Sequence, residues 1–243
     1  MATYNGERYI RQQLYTIVCQ LSDDDEIVVS DDGSTDRTVE IIKGYSDRRI
    51  RLKEGPCKGH PKYNFENALR HATGDIIFLA DQDDLWMPGK LSVVLSYMRD
   101  YDLVVNNAAV INAEGDIVRD SFFNTESLAS YRGAAKNLMH NHYIGCCMAF
   151  KREILEAVLP FPAGIPLHDV WIGLCAECLG FKTAFIPEKL VMYRRHGRNF
   201  SPNVRKNQIS YMNKVIYRLR LLYLLYCRKA AFLWKRKHNL PQG

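Results

Sequence analysis

The stretch GDIIFLADQDDLWMPGKL, residues 74–91, decides the fold of this chain. Residues 75–81 form a short apolar run that ends in acid, which predicts a buried strand, and residues 87–100 follow with helical patterning. A buried strand that leads into a helix is the repeating unit of a parallel α/β sheet, and such sheets bind ligands beyond the carboxyl ends of their strands. Three carboxylates stand at this strand end: Asp81, Asp83 and Asp84.

The same alternation of strands and helices runs through the first two-thirds of the chain. It predicts the α/β class, with a mostly parallel sheet covered by helices on both faces. Polar clusters at 3–5, 30–36 and 80–84 follow strands of this sheet, so we expect them to converge on one crevice. The predicted strands are 26–32, 49–55 and 102–110, and the predicted helices between them are 34–45 and 64–74.

The remainder of the chain is less regular and ends in a basic segment. Residues 1–200 are predicted to form one α/β domain and residues 201–243 a helical tail. The further elements that we expect are a hairpin at 111–118, a buried strand at 144–150, a helix at 167–180, short strands at 181–188 and 189–197, and a basic helix from 203 to about 234.

The start of the chain leaves little sequence for a first strand. Only Met1 and Ala2 precede the polar residues at 3–5, whereas a parallel sheet requires an apolar strand there. Either the first strand is nearly missing or the true start lies upstream of Met1, and we favour the second interpretation.

Charge is distributed unevenly along the chain. The net charge is +6, but residues 189–243 hold 14 Lys and Arg and no acid, which leaves 19 basic against 27 acidic residues in 1–188, a sum of −8. A basic tail is typical of segments that meet phosphates, in nucleic acid, anionic lipid or a diphosphate ligand.

Cysteine usage indicates a reducing compartment. The chain has seven cysteines, an odd number, and the first residues, MATYNGE, are no apolar leader, so we expect free thiols and a cytoplasmic location. Cys175 and Cys178 with the Cys146–Cys147 pair could hold zinc, but the apolar sequence around Cys175 and Cys178 favours small buried thiols. No run reaches the roughly 18 apolar residues of a membrane span.

The acidic turn after residue 80 predicts a metal site. Carboxylates packed this densely repel one another unless a cation neutralises them. Oxygen ligands suit Mg²⁺ or Mn²⁺, which keep waters and bridge to phosphates. The alternative is a solvated acidic turn with no ligand.

Two other pairs of residues offer carboxylates to the same crevice. Asp31 and Asp32 end a strand, where a carboxylate could accept the imide proton of a pyrimidine or bind a ribose hydroxyl, or simply cap the next helix. Asp169 follows His168 at a predicted helix start, where it could take a proton from an acceptor hydroxyl. The alternative for Asp169 is a first-turn acid that faces the helix dipole.

A basic loop, YRRHGRN at 193–199, closes a predicted strand. His196 could be a metal ligand, and Arg194 and Arg195 could neutralise a diphosphate. The alternative is a basic surface turn.

Taken together and in this order, the motifs resemble the family 2 glycosyltransferases, an inverting family with the GT-A fold, and are most similar to bacterial members that build rhamnose-containing or related surface polysaccharides. The resemblance covers about residues 1–200. The motifs that carry it are MATYNGE (1–7), EIVVSDDGSTDRT (26–38), KGHPKYNFENAL (58–69), GDIIFLADQDDLWMPGKL (74–91), HDVW (168–171) and YRRHGRN (193–199).

The resemblance implies a role for each matching residue. Asp81 and Asp83 match the D-x-D element, with Asp83 favoured for direct metal contact, and Asp169 matches the catalytic base. His196 matches a histidine that completes the metal shell in some members. The implied donor contacts are Thr3, Tyr4 and Asn5 lining the nucleotide pocket, Asp32 on the base with Asp31 beside it, Asp84 near the donor sugar, and Lys58 and Lys62 facing the nucleotide.

The implied reaction is transfer of a sugar from a nucleotide-diphosphate sugar to a hydroxyl of a glycan or lipid-linked acceptor, with Mg²⁺ or Mn²⁺, in cell-surface polysaccharide synthesis. The sequence departs from the family in its short first strand and in having HD where many relatives have ED. The alternatives are an inactive relative that binds nucleotide or glycan, and a sugar nucleotidyltransferase, whose glycine-rich phosphate loop the TYNGERY segment does not match. Nothing in the body suits nucleic-acid readout.

The tail carries a helical pattern of its own. Its apolar residues recur at helical spacing with cations on another side. This pattern predicts a helix docked on an anionic membrane surface, or alternatively a helix packed on its own domain with a solvated basic face. The apolar residues are Ile209, Met212, Ile216, Leu219, Tyr223 and Tyr226.

Overall fold

The first sheet is parallel and holds the predicted strands of the N-terminal third. In the computed structural model, which describes residues 1–165, 167–197, 199 and 211–238, strand β1 (Ala2–Thr3) pairs with β2 (Ile27–Asp31), and β2 pairs with β3 (Ile50–Glu54). Every residue of β2 is buried, as the continuous apolar run predicts. The helices that connect these strands and follow them are α1 (Ile10–Val18), α2 (Thr38–Lys43) and α3 (Pro61–His71).

The second sheet has six strands: β4 (Ile76–Phe78), β5 (Leu85–Trp86), β6 (Leu103–Ile111), β7 (Ile117–Arg119), β8 (Met148–Lys151) and β9 (Thr183–Arg194). Its order is β4-β8-β6-β9-β5, with β7 paired to β6. Strands β6 and β9 are parallel, and the other pairs are antiparallel. A parallel bridge between Ala2 and Asp81 joins the two sheets.

The predicted α/β class is therefore confirmed, and the structure adds antiparallel strands in its second half. The hairpin expected at 111–118 is formed by β6 and β7. The strand expected at 144–150 begins later, at Met148, because residues 145–147 form a turn of 3₁₀ helix. Strand β8 then inserts between β4 and β6, which brings this turn beside the acidic residues after β4.

The helix boundaries differ from the predicted ones where a turn takes the first residues. Helix α2 begins at Thr38, not 34, because Asp36 accepts a hydrogen bond from the Thr38 backbone nitrogen at 2.9 Å and so ends the preceding turn. Helix α3 begins with Pro61, and the His60 ring accepts from the Lys62 nitrogen at 3.1 Å. The other helices are α4 (Lys90–Tyr97), α5 (Ala134–Met139), α6 (Arg152–Val158), α7 (His168–Cys178) and α8 (Tyr211–His238).

Residues 183–194 form one long strand instead of the two short strands expected. The register against β6 shifts between Ile186 and Lys189, so Pro187 and Glu188 bulge out of the ladder. Proline has no N–H to donate, and a bulge is where a strand tolerates it. The strand then continues to Arg194, at the edge of the acidic turn.

Helix α7 is almost entirely buried, and its packing fixes where the site lies. Trp171 is fully buried and donates its indole N–H to the Val158 carbonyl at 3.0 Å. All seven cysteines are free, and within the described part of the chain the cysteines alone form no metal cluster. Cys175 is buried in the core, as the apolar sequence around it predicts.

Helix α8 packs on the body through one face. Leu221 and Leu225 are 2% and 5% exposed and belong to the main hydrophobic core, with α6 and α7 as neighbours. The domain boundary expected at residue 200, the first residues of the expected helix and Ile209 lie outside the described residues, as does the side chain of Met212. No helix in the described part is both long and apolar enough to cross a bilayer.

Candidate active site

A cleft of about 430 Å³ lies at the carboxyl ends of β1, β2 and β4. It confirms that the three polar clusters converge on one crevice. A larger cavity, about 630 Å³, lies at the opposite ends of β2 and β4 and contains none of the predicted site residues. The predicted residues that line the first cleft are Thr3, Tyr4, Asp32, Asp81, Asp83 and Asp169.

Asp32 is the carboxylate that the first sheet presents to the cleft. It is buried, and its carboxylate accepts hydrogen bonds from the backbone nitrogens of Lys58 at 3.3 Å and Gly59 at 2.8 Å. Its own nitrogen donates to the Thr3 carbonyl at 2.9 Å. The loop at 58–59 therefore fixes the direction of this carboxylate.

Asp31 and Asn5 lie behind this wall and hold the turn at 33–36. Asp31 accepts from the Thr3 hydroxyl at 3.0 Å and from the Ser34 nitrogen at 2.8 Å. Asn5, at φ 48°, accepts from the Thr35 nitrogen at 2.8 Å. Neither lines the cleft, so the structure gives both residues a positioning contact.

Gln82 is a cleft residue that the sequence reasoning missed. Its side-chain amide accepts from the Tyr4 nitrogen at 2.8 Å and donates to the Tyr4 carbonyl at 3.0 Å, so it ties the acidic turn to β1. A Cβ at Gly6 would lie 2.4 Å from the Gln82 Oε1, so a larger residue there would displace the Gln82 side chain from this contact. Its position between Asp81 and Asp83 is the sequence feature from which its place in the cleft could have been predicted. The Tyr4 ring stays half exposed at the cleft edge.

Asp83 and His196 lie together, as the metal prediction requires. The His196 Nε2 is 2.8 Å from the Asp83 Oδ2, and Asn199 donates to the same oxygen at 3.1 Å. The His196 ring stacks on Tyr9 with centroids 5.1 Å apart. Asn199, which the sequence reasoning did not single out, thus helps to orient this carboxylate.

Asp81 and Asp84 are the two carboxyl groups of the turn whose ionisation is disfavoured by their surroundings. Burial, followed by the neighbouring charges of Asp83 and Asp169, raises the pKa of Asp81 to about 7. Asp84 is 1% exposed, and burial with the charges of Asp83 and Asp81 raises its pKa well above its usual range. Its Oδ1 accepts from the Arg194 nitrogen at 2.8 Å, while its Oδ2 has no hydrogen-bond partner in the described structure.

This cluster fits a divalent cation. One ligand atom each from Asp81, Asp84 and Cys146 lie within 4.8 Å of one another. The orphaned buried oxygen of Asp84 and the crowding of like charges are both relieved by a cation, and carboxylate oxygens suit Mg²⁺ or Mn²⁺. Cys146 is brought here by the turn before β8; the sequence suggested it only as a zinc ligand with three other cysteines, and its place beside the acidic turn was not predicted. The predicted ligands Asp83 and His196 contact each other and are not members of this three-residue cluster.

Arg194 is placed behind the acidic turn and not over the cleft. It is 2% exposed, and its side chain donates to the carbonyls of Asp83 at 2.8 Å and Ala113 at 3.1 Å. The guanidinium also lies 4.7 Å from the Tyr9 ring centroid. Arg195 is exposed, with its guanidinium 5.7 Å from the Tyr193 ring. Of these two arginines, Arg195 is the one whose side chain is exposed.

Lys58 and Lys62 do not line the cleft. The Lys62 side chain is buried and donates to the carbonyls of Ala163 and Ile165, both at 3.2 Å, so it anchors the segment before α7. Lys58 is exposed, with its ammonium 4.6 Å from the Tyr63 ring centroid. The structure gives Lys58 a backbone contact with Asp32 in place of the expected side-chain contact.

Asp169 stands in the first turn of α7 and faces the cleft. Its carboxylate accepts from the Gly145 nitrogen at 3.1 Å and from the Val170 nitrogen at 2.7 Å. Burial raises its pKa to about 6. His168 beside it is 5% exposed and stacks on Phe65 with centroids 3.8 Å apart, and both its ring nitrogens lack a partner in the described structure.

Comparison with known families shows what this arrangement is similar to. The model of "Glycosyl transferase family 2" matches residues 1–159. The chain is 26% identical over 182 residues to the UDP-Glc:alpha-D-GlcNAc-diphosphoundecaprenol beta-1,3-glucosyltransferase WfgD of Escherichia coli, covering 73% of this chain and 68% of that protein. It is 26% identical over 226 residues to the dTDP-rhamnosyl transferase RfbG of Shigella flexneri, covering 82% and 72%.

Solved structures share the fold. TarS 1–349 of S. aureus in complex with UDP-GlcNAc matches with a TM-score of 0.69 at 17% identity, over 93% of this chain and 64% of that one. The mannosyltransferase PcManGT of Pyrobaculum calidifontis, in complex with GDP-Man and Mn²⁺, matches with a TM-score of 0.60 at 23% identity, over 82% and 56%. The predicted GT-A fold is confirmed.

The chain covers only part of several relatives. The match spans 64% of the length of a glycosyltransferase from Nostoc sp. at 26% identity, and 49% of one from Haemophilus influenzae at 32% identity.

Proposed function

Because the chain belongs to glycosyl transferase family 2, we propose that it transfers a sugar from a nucleotide-diphosphate sugar to an acceptor hydroxyl and inverts the anomeric configuration. The observation that carries the proposal is that one cleft is lined by Asp32, by Asp81 and Asp83 of the acidic turn, and by Asp169. The named relatives support it, since their names or bound ligands include UDP-Glc, a dTDP-rhamnosyl donor, UDP-GlcNAc and GDP-Man.

The first sheet provides the nucleotide side of the cleft. Asp32 would bind the base, because its carboxylate is held in the cleft by the 58–59 loop. Thr3 and Tyr4 would line the pocket, with the half-exposed Tyr4 ring at its edge. Asn5 and Asp31 would act through the turn that they hold, and Lys58 and Lys62 through the backbone segments that they fix.

The acidic turn is the proposed metal site. Asp81 and Asp83 would hold Mg²⁺ or Mn²⁺, with Asp84 and His196 beside them, and the orphaned oxygen of Asp84 supports a cation at this point. When bound, such an ion would neutralise the charge that develops on the leaving nucleoside diphosphate. The bound Mn²⁺ of the Pyrobaculum enzyme supports this assignment. Arg194 would position the turn, and Arg195 would contact the diphosphate.

Asp169 is the proposed general base. Its pKa of about 6 leaves it ionised at neutral pH and able to accept a proton from the acceptor hydroxyl. The hydroxyl oxygen would then attack the anomeric carbon from the face opposite the leaving diphosphate, so that one C–O bond forms as the other breaks. This single displacement is the reason for expecting inversion.

The relatives support a proposal for the acceptor and the cellular role. We propose a glycan or lipid-linked acceptor in cell-surface polysaccharide synthesis, because the name of the Escherichia coli relative includes a diphosphoundecaprenol acceptor. A lipid-linked acceptor would place the enzyme at the inner face of the membrane as a peripheral protein. Residues 1–200 would be the catalytic domain and 201–243 its basic tail.

The proposal is tested by a donor screen in which the wild type and the Asp169→Asn variant are assayed in parallel. Uridine, thymidine and guanosine diphosphate sugars are scanned with Mn²⁺ by thermal shift, and donors that bind are tested for nucleoside diphosphate release with candidate acceptors. Loss of the base should reduce turnover by about a hundredfold to ten-thousandfold while donor binding stays near normal.

Two outcomes would favour the alternatives. In the screen, donor binding without any nucleoside diphosphate release would indicate an inactive binding relative. In a parallel incubation with a sugar phosphate and a nucleoside triphosphate, formation of a sugar nucleotide and pyrophosphate would indicate a nucleotidyltransferase. Near-normal turnover of Asp169→Asn would remove that residue from its role.

A further inference from the structure

Helix α8 presents an apolar stripe to solvent, on the side away from its packed face. Leu219, Tyr223 and Tyr226 are 60%, 66% and 73% exposed, whereas Leu221 and Leu225 are buried. The stripe continues at steps of three, four and seven residues, which keep side chains on one face of a helix. Its members are Ile216, Leu219, Leu222, Tyr223, Tyr226, Leu233 and Trp234, all exposed.

The charges of the helix are all of one sign. Residues 211–238 contain eight Lys and Arg and no Asp or Glu. The exposed cations in the described part of the helix are Arg220, Lys229, Lys235 and Lys237. An apolar face with Tyr and Trp, bordered by Lys and Arg, is the composition of helices that lie in a bilayer interface.

A second copy of the chain fits this face less well. Helices that pair through such a stripe are usually aligned by opposite charges at their flanks. Here both copies would bring only cations to the interface, and like charges at close range repel. Anionic lipid headgroups match the same cations, and each Lys or Arg near such a surface adds to the attraction.

The helix is also fixed to the part of the cleft that holds the proposed base. Arg228 donates to the Leu159 carbonyl at 2.8 Å, and its guanidinium lies 5.7 Å from the Trp171 ring of α7. The half-buried Tyr217 is close enough for the charge of Asp169, after burial, to raise its pKa. Binding of the stripe to a surface would therefore determine the distance between that surface and the cleft around Asp169.

We propose that α8 docks the protein on an anionic bilayer through the stripe, with Leu221 and Leu225 joining it to the catalytic body. Only the reason for docking rests on the proposed function: docking would bring the cleft to a lipid-linked acceptor. Docking itself needs neither donor nor acceptor.

The experiment is sedimentation of the full chain with vesicles of phosphatidylcholine alone or of equal parts phosphatidylcholine and phosphatidylglycerol. We expect binding to the anionic vesicles that weakens with salt. The double variant Leu219→Glu with Tyr226→Glu should lower the partition constant by about a hundredfold or more, because each apolar side chain contributes about tenfold. Ile117→Glu is the matched control, since Ile117 is 57% exposed on β7, in the second sheet.

The outcomes separate this inference from the proposed function. Equal sedimentation of the wild type and the double variant, or no binding to anionic vesicles, would overturn the docking role. A concentration-dependent dimer in analytical ultracentrifugation that the double variant abolishes, without vesicle binding, would assign the stripe to a second copy. Vesicle binding by a chain that turns over no donor would uphold docking and count against the proposed reaction.

Discussion

The acidic turn at 81–84 and helix α8 are both clusters of one charge sign, but the protein treats them in opposite ways. The acids lie at or beside the cleft, where burial and neighbouring charges raise the pKa values of Asp81 and Asp84, and one oxygen of Asp84 has no hydrogen-bond partner among the described residues. Of the six cations of α8 whose side chains the structure describes, four are exposed. A buried cluster of like charges costs free energy until a counterion arrives, whereas an exposed one is already solvated. The first therefore indicates a small ion, and the second an extended charged surface.

Removal of the metal should have the largest effect on activity, and it should affect the acidic turn but not helix α8. We expect a chelator to abolish sugar transfer and added Mn²⁺ or Mg²⁺ to restore it, because the leaving diphosphate is then without its counterion. Mn²⁺ at about a hundred times its dissociation constant should stabilise the fold by about 2.7 kcal/mol.

The control for metal binding is the double variant Asp81→Asn with Asp84→Asn. It should lose the stabilisation by Mn²⁺ in a thermal shift assay, while its binding to anionic vesicles stays as in the wild type. Full transfer in the presence of the chelator would show that the acidic turn works without an ion.

Replacement of one cation in each region should separate buried from exposed charge. Arg194→Met removes the donors that hold the carbonyl of Asp83, and we expect it to lower the free energy of unfolding by about 3 kcal/mol. Lys229→Met, at an exposed position of α8, should change it by no more than about 0.5 kcal/mol. Urea unfolding of the two variants measures both, and equal effects would mean that Arg194 does not position the turn.

The sequence predicted the two regions but not the direction of every side chain. Asp32, Asp81 and Asp169 could be predicted because each follows an apolar strand or opens a helix, and strand ends converge in a sheet of this kind. Arg194 and Lys62 could not, since a motif shows which residue is present but not whether it faces the cleft or a backbone carbonyl behind it. Cys146 reaches Asp84 only because β8 inserts as an antiparallel strand beside β4, a pairing of residues far apart in sequence.

The next largest expected difference is in pH dependence: turnover at the cleft should depend on pH, whereas vesicle binding by helix α8 should not. The pKa of Asp169 is raised to about 6 by burial, so the carboxylate needed for proton transfer is lost as the pH falls through that value. Turnover should then fall about tenfold for each further pH unit. Asp81 faces the same space, and a bound cation there would move this limb to lower pH.

The controls for the pH response use the same comparison. Vesicle binding through Lys and Arg should stay unchanged over this range, since neither side chain titrates there. The Asp169→Asn variant should lose the acidic limb from its residual activity. Because the folded protein holds the Asp169 proton more tightly than the unfolded chain does, this group makes folding less favourable as the pH rises from about 4 to about 6.

The smallest expected effect concerns His168, a buried polar side chain that has neither a counterion nor solvent. Burial lowers its pKa to about 3, so it is a neutral ring stacked on Phe65, and neither ring nitrogen has a hydrogen-bond partner among the described residues. Since an unsatisfied buried polar atom costs about 1–3 kcal/mol, His168→Phe should leave stability unchanged or raise it by about 1 kcal/mol. His168→Asn, which keeps polar atoms but loses the stacked ring, should be less stable than the wild type. Urea unfolding of both variants measures the difference, and a clear loss of stability in His168→Phe would show that the imidazole is held by hydrogen bonds in the free protein.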